Sequence, residues 1–311
     1  MPLINKPSPF SLGVPLKEIY EVLISIPIKT AFSDHSLEVF YEDLIANVEV
    51  KEFSNDQVKS TNEGAITTIK TYLPKRFLTF LSEPEFLLEM NKVTTFASLV
   101  EDEKGIFLGS RLTSFKKNKD WDIFFPLLLF SLICSNEVFY HCFSITLGKD
   151  KPSNGISEWK DTDFQLTKNY LDSMCWCTAD NLGLTAKFKI DRDTNVLVER
   201  NQTALWKMHA DSPHPSLGGG LLCILELPFE FERKRLIEVV NILNISEMLP
   251  HDLPPHFGAW TVGNMKNKPA YVSFLPNVLH DQAENIQTHM SIWAFQRVQT
   301  SVSTLKTNGI I

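Results

Sequence analysis

The chain lacks the features that would place it outside the cytoplasm. Its five cysteines are an odd number scattered along 311 residues, a pattern that does not make a disulfide framework. The N-terminus has no charged segment followed by an apolar core, so we expect no secretory signal peptide. Cysteines that stay reduced are typical of cytoplasmic proteins. We therefore expect a cytoplasmic protein.

Long apolar runs are also missing. The most apolar stretch, residues 123–134, is about a dozen residues long, whereas a helix that spans a bilayer needs about 20. A buried core helix between Trp121 and Cys134 is the better interpretation, because Pro126 would lie in its first turn. We expect no membrane association.

The sequence has no excess of positive charge. It carries 30 lysines and arginines against 37 aspartates and glutamates, for a net charge of -7. A nucleic-acid partner needs a basic surface, and the basic clusters at 116–119 and 233–235 are short. We therefore expect no nucleic-acid partner, and the apolar content of 43% is that of a folded protein.

Sequence motifs of catalysis and cofactor binding are absent as well. The chain has no G-x-S-x-G, no H-E-x-x-H, no phosphate-binding P-loop and no dinucleotide fingerprint. The sequence therefore predicts no catalytic residue and no cofactor. Catalytic groups can also come from distant positions, so an enzyme stays open as an alternative.

Hydrophobic periodicity predicts an α+β protein. Strands are predicted by apolar alternation and helices by apolar stripes at helical spacing. The predicted helices cover residues 15–26, 121–134, 161–180, 233–249 and 281–305. The predicted strands cover residues 48–53, 64–73, 77–81, 92–100, 106–115, 138–147, 156–159, 184–190, 196–199, 203–210, 221–231, 257–262 and 270–275.

The two halves also resemble each other. Residues 96–115 are similar to residues 209–229, at an offset of about 115 residues. We therefore expect two similar units, each an antiparallel sheet with packed helices, over residues 1–160 and 161–311. The helix at 161–180 would lie at their boundary and hold the units together, in a monomer or a homodimer.

One segment of unusual composition is a candidate binding site. It contains His209, Asp211 and His214, followed by three consecutive glycines, Gly218, Gly219 and Gly220. The imidazole and carboxylate groups could ligate a divalent metal, and the glycines could bring backbone N–H groups to an anion. The alternative is a wide hairpin loop, because the glycines precede a predicted strand rather than a helix.

His256 extends this candidate site. Six of the eight histidines lie beyond residue 208, and His256 follows two prolines that forbid a helix there. An ordinary loop histidine is one interpretation. The other is a ligand or catalytic site in a cleft between the two units, near residues 209–220.

The order helix, strands, helix, two strands, helix in each half resembles the type III secretion chaperone-like fold group. That group includes the secretion chaperones and the small YbjN-like proteins, and its chaperones are commonly dimers of a single unit. The resemblance implies a non-enzymatic module that binds a protein or peptide partner, of the chaperone or adaptor type. This chain departs from the group in carrying two units in one polypeptide.

Overall fold

The computed structural model contains two antiparallel sheets with helices packed on them. It describes residues 29–32, 36–41, 44–53, 64–115, 138–149, 187–191, 196–200, 204–215, 217–249, 254–263, 267–276 and 283–311.

The first unit is built on a six-stranded sheet. Its strands are β1 (Lys29–Phe32), β2 (Ser36–Tyr41), β3 (Leu44–Phe53), β4 (Gly64–Tyr72), β5 (Ser98–Asp102) and β6 (Gly105–Phe115). They lie in the order β1-β2-β3-β4-β6-β5. A 3-10 turn (Lys75–Phe77), α1 (Leu78–Leu81) and α2 (Pro84–Thr94) connect β4 to β5. Residues 138–146 are helical and form α3.

The second unit has the same connectivity. Its strands are β7 (Lys187–Asp191), β8 (Val196–Arg200), β9 (Leu205–His214), β10 (Gly218–Glu226), β11 (Ala259–Val262) and β12 (Pro269–Pro276). They lie in the order β7-β8-β9-β10-β12-β11, which repeats that of the first sheet. Helix α4 (Arg233–Met248) connects β10 to β11, and α5 (Ala283–Thr307) follows β12. The predicted fold class, α+β with two similar units, is confirmed.

Side-chain alternation explains the strands and apolar stripes explain the helices. In β3 the residues at positions 44, 46, 48 and 50 are buried, whereas Ile45 and Lys51 are exposed. In α4 the buried positions 236, 239, 240 and 243 recur at helical spacing. Helix α2 begins at Pro84, which suits a first helical position, and ends where Thr95 adopts a left-handed φ of 52°.

The main hydrophobic core is shared by the two units. It contains Val48 and Ile69 of the first sheet together with Trp206 and Leu225 of the second sheet and Leu243 of α4. A second cluster takes its buried side chains from the first unit, and Leu217 of the second unit packs against it. It is formed by the aromatic and aliphatic side chains of α1, α2 and α3 with those of β5 and β6.

Two predicted strands are wrong in type, and a third is wrong in part. Residues 77–81 and 138–146 are helical. Of the strand predicted at 92–100, residues 92–94 are the last turn of α2 and residues 98–100 belong to β5. Each segment is a short apolar run in which a buried strand and a buried helix look alike, and Pro84 is the helix start that decides the last case. The predicted helices at 15–26, 121–134 and 161–180 and the predicted strand at 156–159 lie outside the described residues.

The predicted offset between the halves also needs correction. The shared connectivity matches β5 and β6 with β11 and β12, whereas the offset of about 115 placed them opposite β9 and β10. That alignment is wrong because each unit contains more than one apolar hairpin, and it matched different ones. The boundary between residues 160 and 161 lies outside the described residues and stays a prediction.

Candidate functional site

The two units meet through main-chain hydrogen bonds that are exchanged reciprocally. His256, just before β11, pairs with Arg111 of β6, since Arg111 N–H donates to His256 O at 3.0 Å and His256 N–H donates to Arg111 O at 2.7 Å. Thr95, just before β5, accepts from Phe274 N–H of β12 at 3.0 Å. Arg111 and Phe274 occupy matching positions in their hairpins. The interface is therefore reciprocal, as in a two-fold dimer.

A side chain from each unit also caps the C-terminus of a helix in the other unit. In the last turn of α2, the Val93 carbonyl contacts His214 Nε2 at 2.9 Å. In the last turn of α4, the Glu247 carbonyl accepts from Arg111 Nε at 2.7 Å, and Arg111 Nη2 donates to Pro254 O at 3.0 Å. The last carbonyls of a helix have no partner within it. The buried side chains of His214 and Arg111 provide such a partner from the opposite unit.

A buried asparagine in each helix fixes the edge strand beside it. Asn91 of α2 accepts the Leu99 N–H at 2.8 Å. Asn244 of α4 accepts the Trp260 N–H at 2.8 Å and donates its amide to the Trp260 carbonyl at 2.9 Å. Both edge strands therefore reach the interface held by the helix of their own unit.

Glu247 is the centre of a buried charge network. Its carboxylate accepts from Arg297 Nε at 2.7 Å and from Trp260 Nε1 at 3.1 Å. Burial alone would raise the pKa of Glu247, but the charges of Arg297 and Arg111 hold it below its ordinary value. Glu247 is therefore ionised in the folded protein.

Two arginines complete this network. Arg297 donates to Pro255 O at 2.6 Å, and its guanidinium lies 3.8 Å from the centre of the Tyr271 ring. Arg111 has no exposed surface, and burial lowers its pKa to about 10. It still carries its charge at neutral pH. Its guanidinium is directed at carbonyl groups and at the Thr113 hydroxyl, 3.0 Å from Nη1.

His256 joins the network to the first sheet. Its Nε2 lies 2.8 Å from Ser98 Oγ, and its Nδ1 lies 3.1 Å from the Tyr271 hydroxyl and 3.6 Å from Glu247 Oε2. Burial lowers the pKa of His256 to about 3, so the imidazole is neutral. The Tyr271 oxygen also accepts the Phe257 N–H, so His256 lies in a chain of hydrogen bonds that runs from Phe257 through Tyr271 to Ser98.

Ser98, His256 and Glu247 follow the order of a nucleophile, a base and an acid. In such a triad the imidazole accepts the serine proton, and the serine oxygen must be able to reach a substrate. Neither Ser98 nor His256 has exposed surface. In this conformation the three side chains join the two units and do not present a nucleophile to solvent.

The predicted segment 209–220 is a tight hairpin rather than a wide loop. Strand β9 runs to His214 and β10 starts at Gly218, and these two residues lie opposite each other. Asp211 and Ala210 together lie opposite Leu221, which is a bulge in β9. His209 lies opposite Leu222, and burial and the charge of Lys207 lower its pKa.

His214 contacts three other residues through its imidazole ring. Besides its contact with Val93 O, its Nδ1 accepts the Leu217 N–H at 3.2 Å, and its ring lies 4.9 Å from the Phe274 ring. Burial lowers its pKa to about 4. Both ring nitrogens are occupied by backbone groups, so His214 acts as a structural link between the hairpin and α2.

The three glycines lie within the strand pairing. Gly218 and Gly219 lie opposite His214 and Pro213. Gly220 lies between β9 and β12, where an added Cβ would overlap the Leu275 carbonyl oxygen and approach the Phe274 ring to 2.6 Å. Gly220 therefore allows a close approach of backbones.

The two predicted site histidines with the best described contacts, His214 and His256, lie against different groups. His214 contacts α2 and Phe274, whereas His256 contacts Ser98 and Tyr271. Within the part of the chain that the structure describes, no three His, Cys, Asp or Glu side chains are arranged to hold a metal ion. In the same residues, no helix combines the length and hydropathy that a bilayer crossing requires.

Sequence reasoning missed most of the buried network. The sequence feature that indicates this network is a charged residue at a buried position of an otherwise apolar helix stripe. Glu247 continues the buried stripe of Val240 and Leu243 in α4, and Arg297 falls between Ala294 and Ser301 in α5. Charged residues are almost never fully buried unless they are paired, so such positions predict partners elsewhere in the chain.

Comparison with known proteins adds no relative. No protein-family model, no curated protein and no solved structure matches this chain.

Proposed function

We propose that this chain is a non-enzymatic protein-binding module of the chaperone or adaptor type, which holds a polypeptide partner. The observation that carries the proposal is the reciprocal joining of two units with the same connectivity. Single-unit proteins build two-fold dimers through interfaces of this kind. The chaperones that the element order resembles are commonly such dimers. In our proposal the chain is a tandem repeat of that unit and is equivalent to one dimer.

The buried polar side chains between the units support this function, because they bind groups within the chain. His214, His256 and Arg111 direct their ring or guanidinium nitrogens at groups of the opposite unit. The outward faces of the sheets would then bind the polypeptide partner. The net charge of -7 favours a basic polypeptide over a nucleic acid. We propose a monomeric, cytoplasmic protein that needs no cofactor.

The test is partner capture followed by reconstitution. The full chain is used to capture proteins from a lysate of its host, and each captured protein is then purified and titrated against the chain by calorimetry. We expect one protein that rebinds with a defined stoichiometry. Failure of every purified candidate to rebind would overturn the proposal.

A second candidate is an enzyme or ligand-binding protein that uses a cleft between the units, near residues 209–220. The 2.8 Å contact between Ser98 and His256 favours it, because this contact lies at the interface of the units. The cleft would have to open to expose Ser98. Labelling the native chain with a fluorophosphonate tests this function against a Ser98→Ala control. Labelling of the wild type alone would establish a reactive serine and contradict a non-enzymatic role.

A further inference from the structure

A row of apolar side chains crosses the outward face of the first sheet. Phe40 of β2 lies opposite Ile45 of β3, Ile45 lies opposite Tyr72 of β4, and Tyr72 lies opposite Phe107 of β6. Directly opposed residues of antiparallel strands share one face, so the four residues form a row across four strands. The Tyr72 and Phe107 ring centres are 5.5 Å apart.

The row is covered at one end and open at the other. Phe107 is buried, and beside it Met248 at the end of α4 covers Gly109, where an added Cβ would lie 2.6 Å from Met248 Sδ. Ile45 is 42% exposed, and Phe40 and Tyr72 are partly exposed. The open part therefore presents a large aliphatic side chain between two aromatic ones.

The second sheet provides an internal control for this row. At the matching register positions it carries Arg200, Leu205, Glu226 and Ala270. The same strand order therefore forms with two charged residues in the row, so apolar residues here are not a requirement of the fold. Exposed apolar side chains grouped in this way mark an interaction surface.

The charges beside the row define the chemistry of its partner. Glu38 and Glu49 lie on the same face as Ile45, and Lys70 is already paired with Asp102 at 2.7 Å. Lys51 lies at the far end of β3. Glu49 Oε1 accepts from the Asn47 amide at 3.3 Å, and among the described residues neither Glu38 nor Glu49 forms an ion pair, so both carboxylates can pair with basic groups of a partner.

We infer that this row binds an amphipathic α-helix of a partner protein, with basic side chains beside its apolar stripe. The inference rests on the proposed protein-binding function. Neighbouring strands are about 4.8 Å apart and a helix rises about 5.4 Å per turn, so a helix lying across the strands presents one apolar side chain to each strand. Phe40, Ile45 and Tyr72 then meet three successive turns, and the basic side chains face Glu38 and Glu49.

The first experiment titrates the full chain against a fluorescein-labelled 18-residue helical peptide of leucines and lysines, followed by fluorescence anisotropy. We expect Ile45→Ser to weaken binding about ten-fold. The matched control Ile311→Ser, at a residue that is 41% exposed, leaves binding unchanged. Replacing the peptide lysines with glutamates also weakens binding. Equal affinity of the wild type and Ile45→Ser, or of the two peptides, would overturn the inference.

A second experiment separates this inference from the proposed function. Phage-displayed random 16-residue peptides are selected on wild-type protein and retested on Ile45→Ser and Ile311→Ser. Peptides that lose binding to Ile45→Ser alone support the row. Peptides that bind all three proteins equally overturn the row and leave the protein-binding function standing. If the wild type enriches no peptide above an albumin-coated surface, both proposals are overturned.

Discussion

Two buried histidines couple the folding of this chain to protons. Burial lowers the pKa of His256 to about 3 and that of His214 to about 4. An unfolded histidine has a pKa of about 6.5, so below this pH the unfolded state binds more protons than the folded state. Their contribution to stability is complete above pH 6.5 and is lost as the pH falls toward the folded pKa values.

We therefore predict a steep loss of stability in mild acid. Between pH 6 and pH 5 the free energy of unfolding should fall by up to about 1.4 kcal/mol per pH unit for each of the two histidines. Urea unfolding at a series of pH values measures this slope. In His256→Gln the slope should be about half that of the wild type. A free energy that stays constant from pH 7 to pH 5 would contradict the prediction. Glu247, whose pKa lies below its ordinary value, adds its effect only at lower pH.

Arg111 links the units through a single side chain. Its guanidinium donates to Glu247 O, Pro254 O and the Thr113 hydroxyl. A buried acceptor left without a donor costs about 1–3 kcal/mol, so we predict that Arg111→Met destabilises the chain by about 3 kcal/mol or more. Arg111→Lys should be intermediate, since an ammonium does not reproduce the planar geometry.

The control for Arg111 is an arginine on the surface. Arg235 forms an exposed ion pair with Glu238 on the same helix. Arg235→Met should cost less than about 1 kcal/mol. Urea unfolding at pH 7 measures all three variants, and equal losses in Arg111→Met and Arg235→Met would rule out a special role for Arg111.

At the scale of the element, local pattern predicted α4, α5 and most strands of the described residues, whereas β1 and β2 were not predicted. The alternation in β3 and β4 and the stripe in α4 are set by neighbouring residues alone, and they lie close to the predicted bounds. The strand predictions for residues 77–81 and 138–147 were wrong because a short apolar run fits either a strand or a helix. The choice depends on what each run packs against, and local sequence does not contain that information.

The candidate site was less predictable than the elements. His256 is the one predicted site residue that belongs to the Glu247 network among the described residues. Ser98 and Glu247 reach it from β5 and α4, so their proximity follows from the reciprocal packing of the units. The glycines of the β9–β10 hairpin stand out in the sequence because three of them are consecutive. Their role is set by the neighbouring strand β12.

Two glycines in strands provide a matched test of packing at this scale. An added Cβ at Gly220 meets the Leu275 carbonyl, which is backbone, whereas at Gly109 it meets the flexible end of Met248. We predict that Gly220→Ala costs about 2 kcal/mol or more and that Gly109→Ala costs clearly less, because a methionine can change its rotamer. Thermal or urea unfolding measures both. The opposite order would show that the Leu275 backbone moves more easily than Met248.

At the scale of the whole molecule, the two units share their stability. The main core takes side chains from both sheets, α2 packs against β11, and α4 packs against β5. The charge network draws on Ser98, Arg111, Glu247, His256 and Arg297 from both units. Neither unit can leave the interface without exposing apolar surface and buried charge, so their unfolding is coupled.

We predict that the two units unfold in one cooperative transition. Cys142 of α3 and Cys223 of β10 are buried cysteines, one in each unit. Labelling with a thiol reagent along a urea series, read for each cysteine by mass spectrometry, should give the same midpoint for both. In Arg111→Met the link is weakened, so we expect the two midpoints to separate. Earlier labelling of one cysteine in the wild type would mean that its unit unfolds independently of the other.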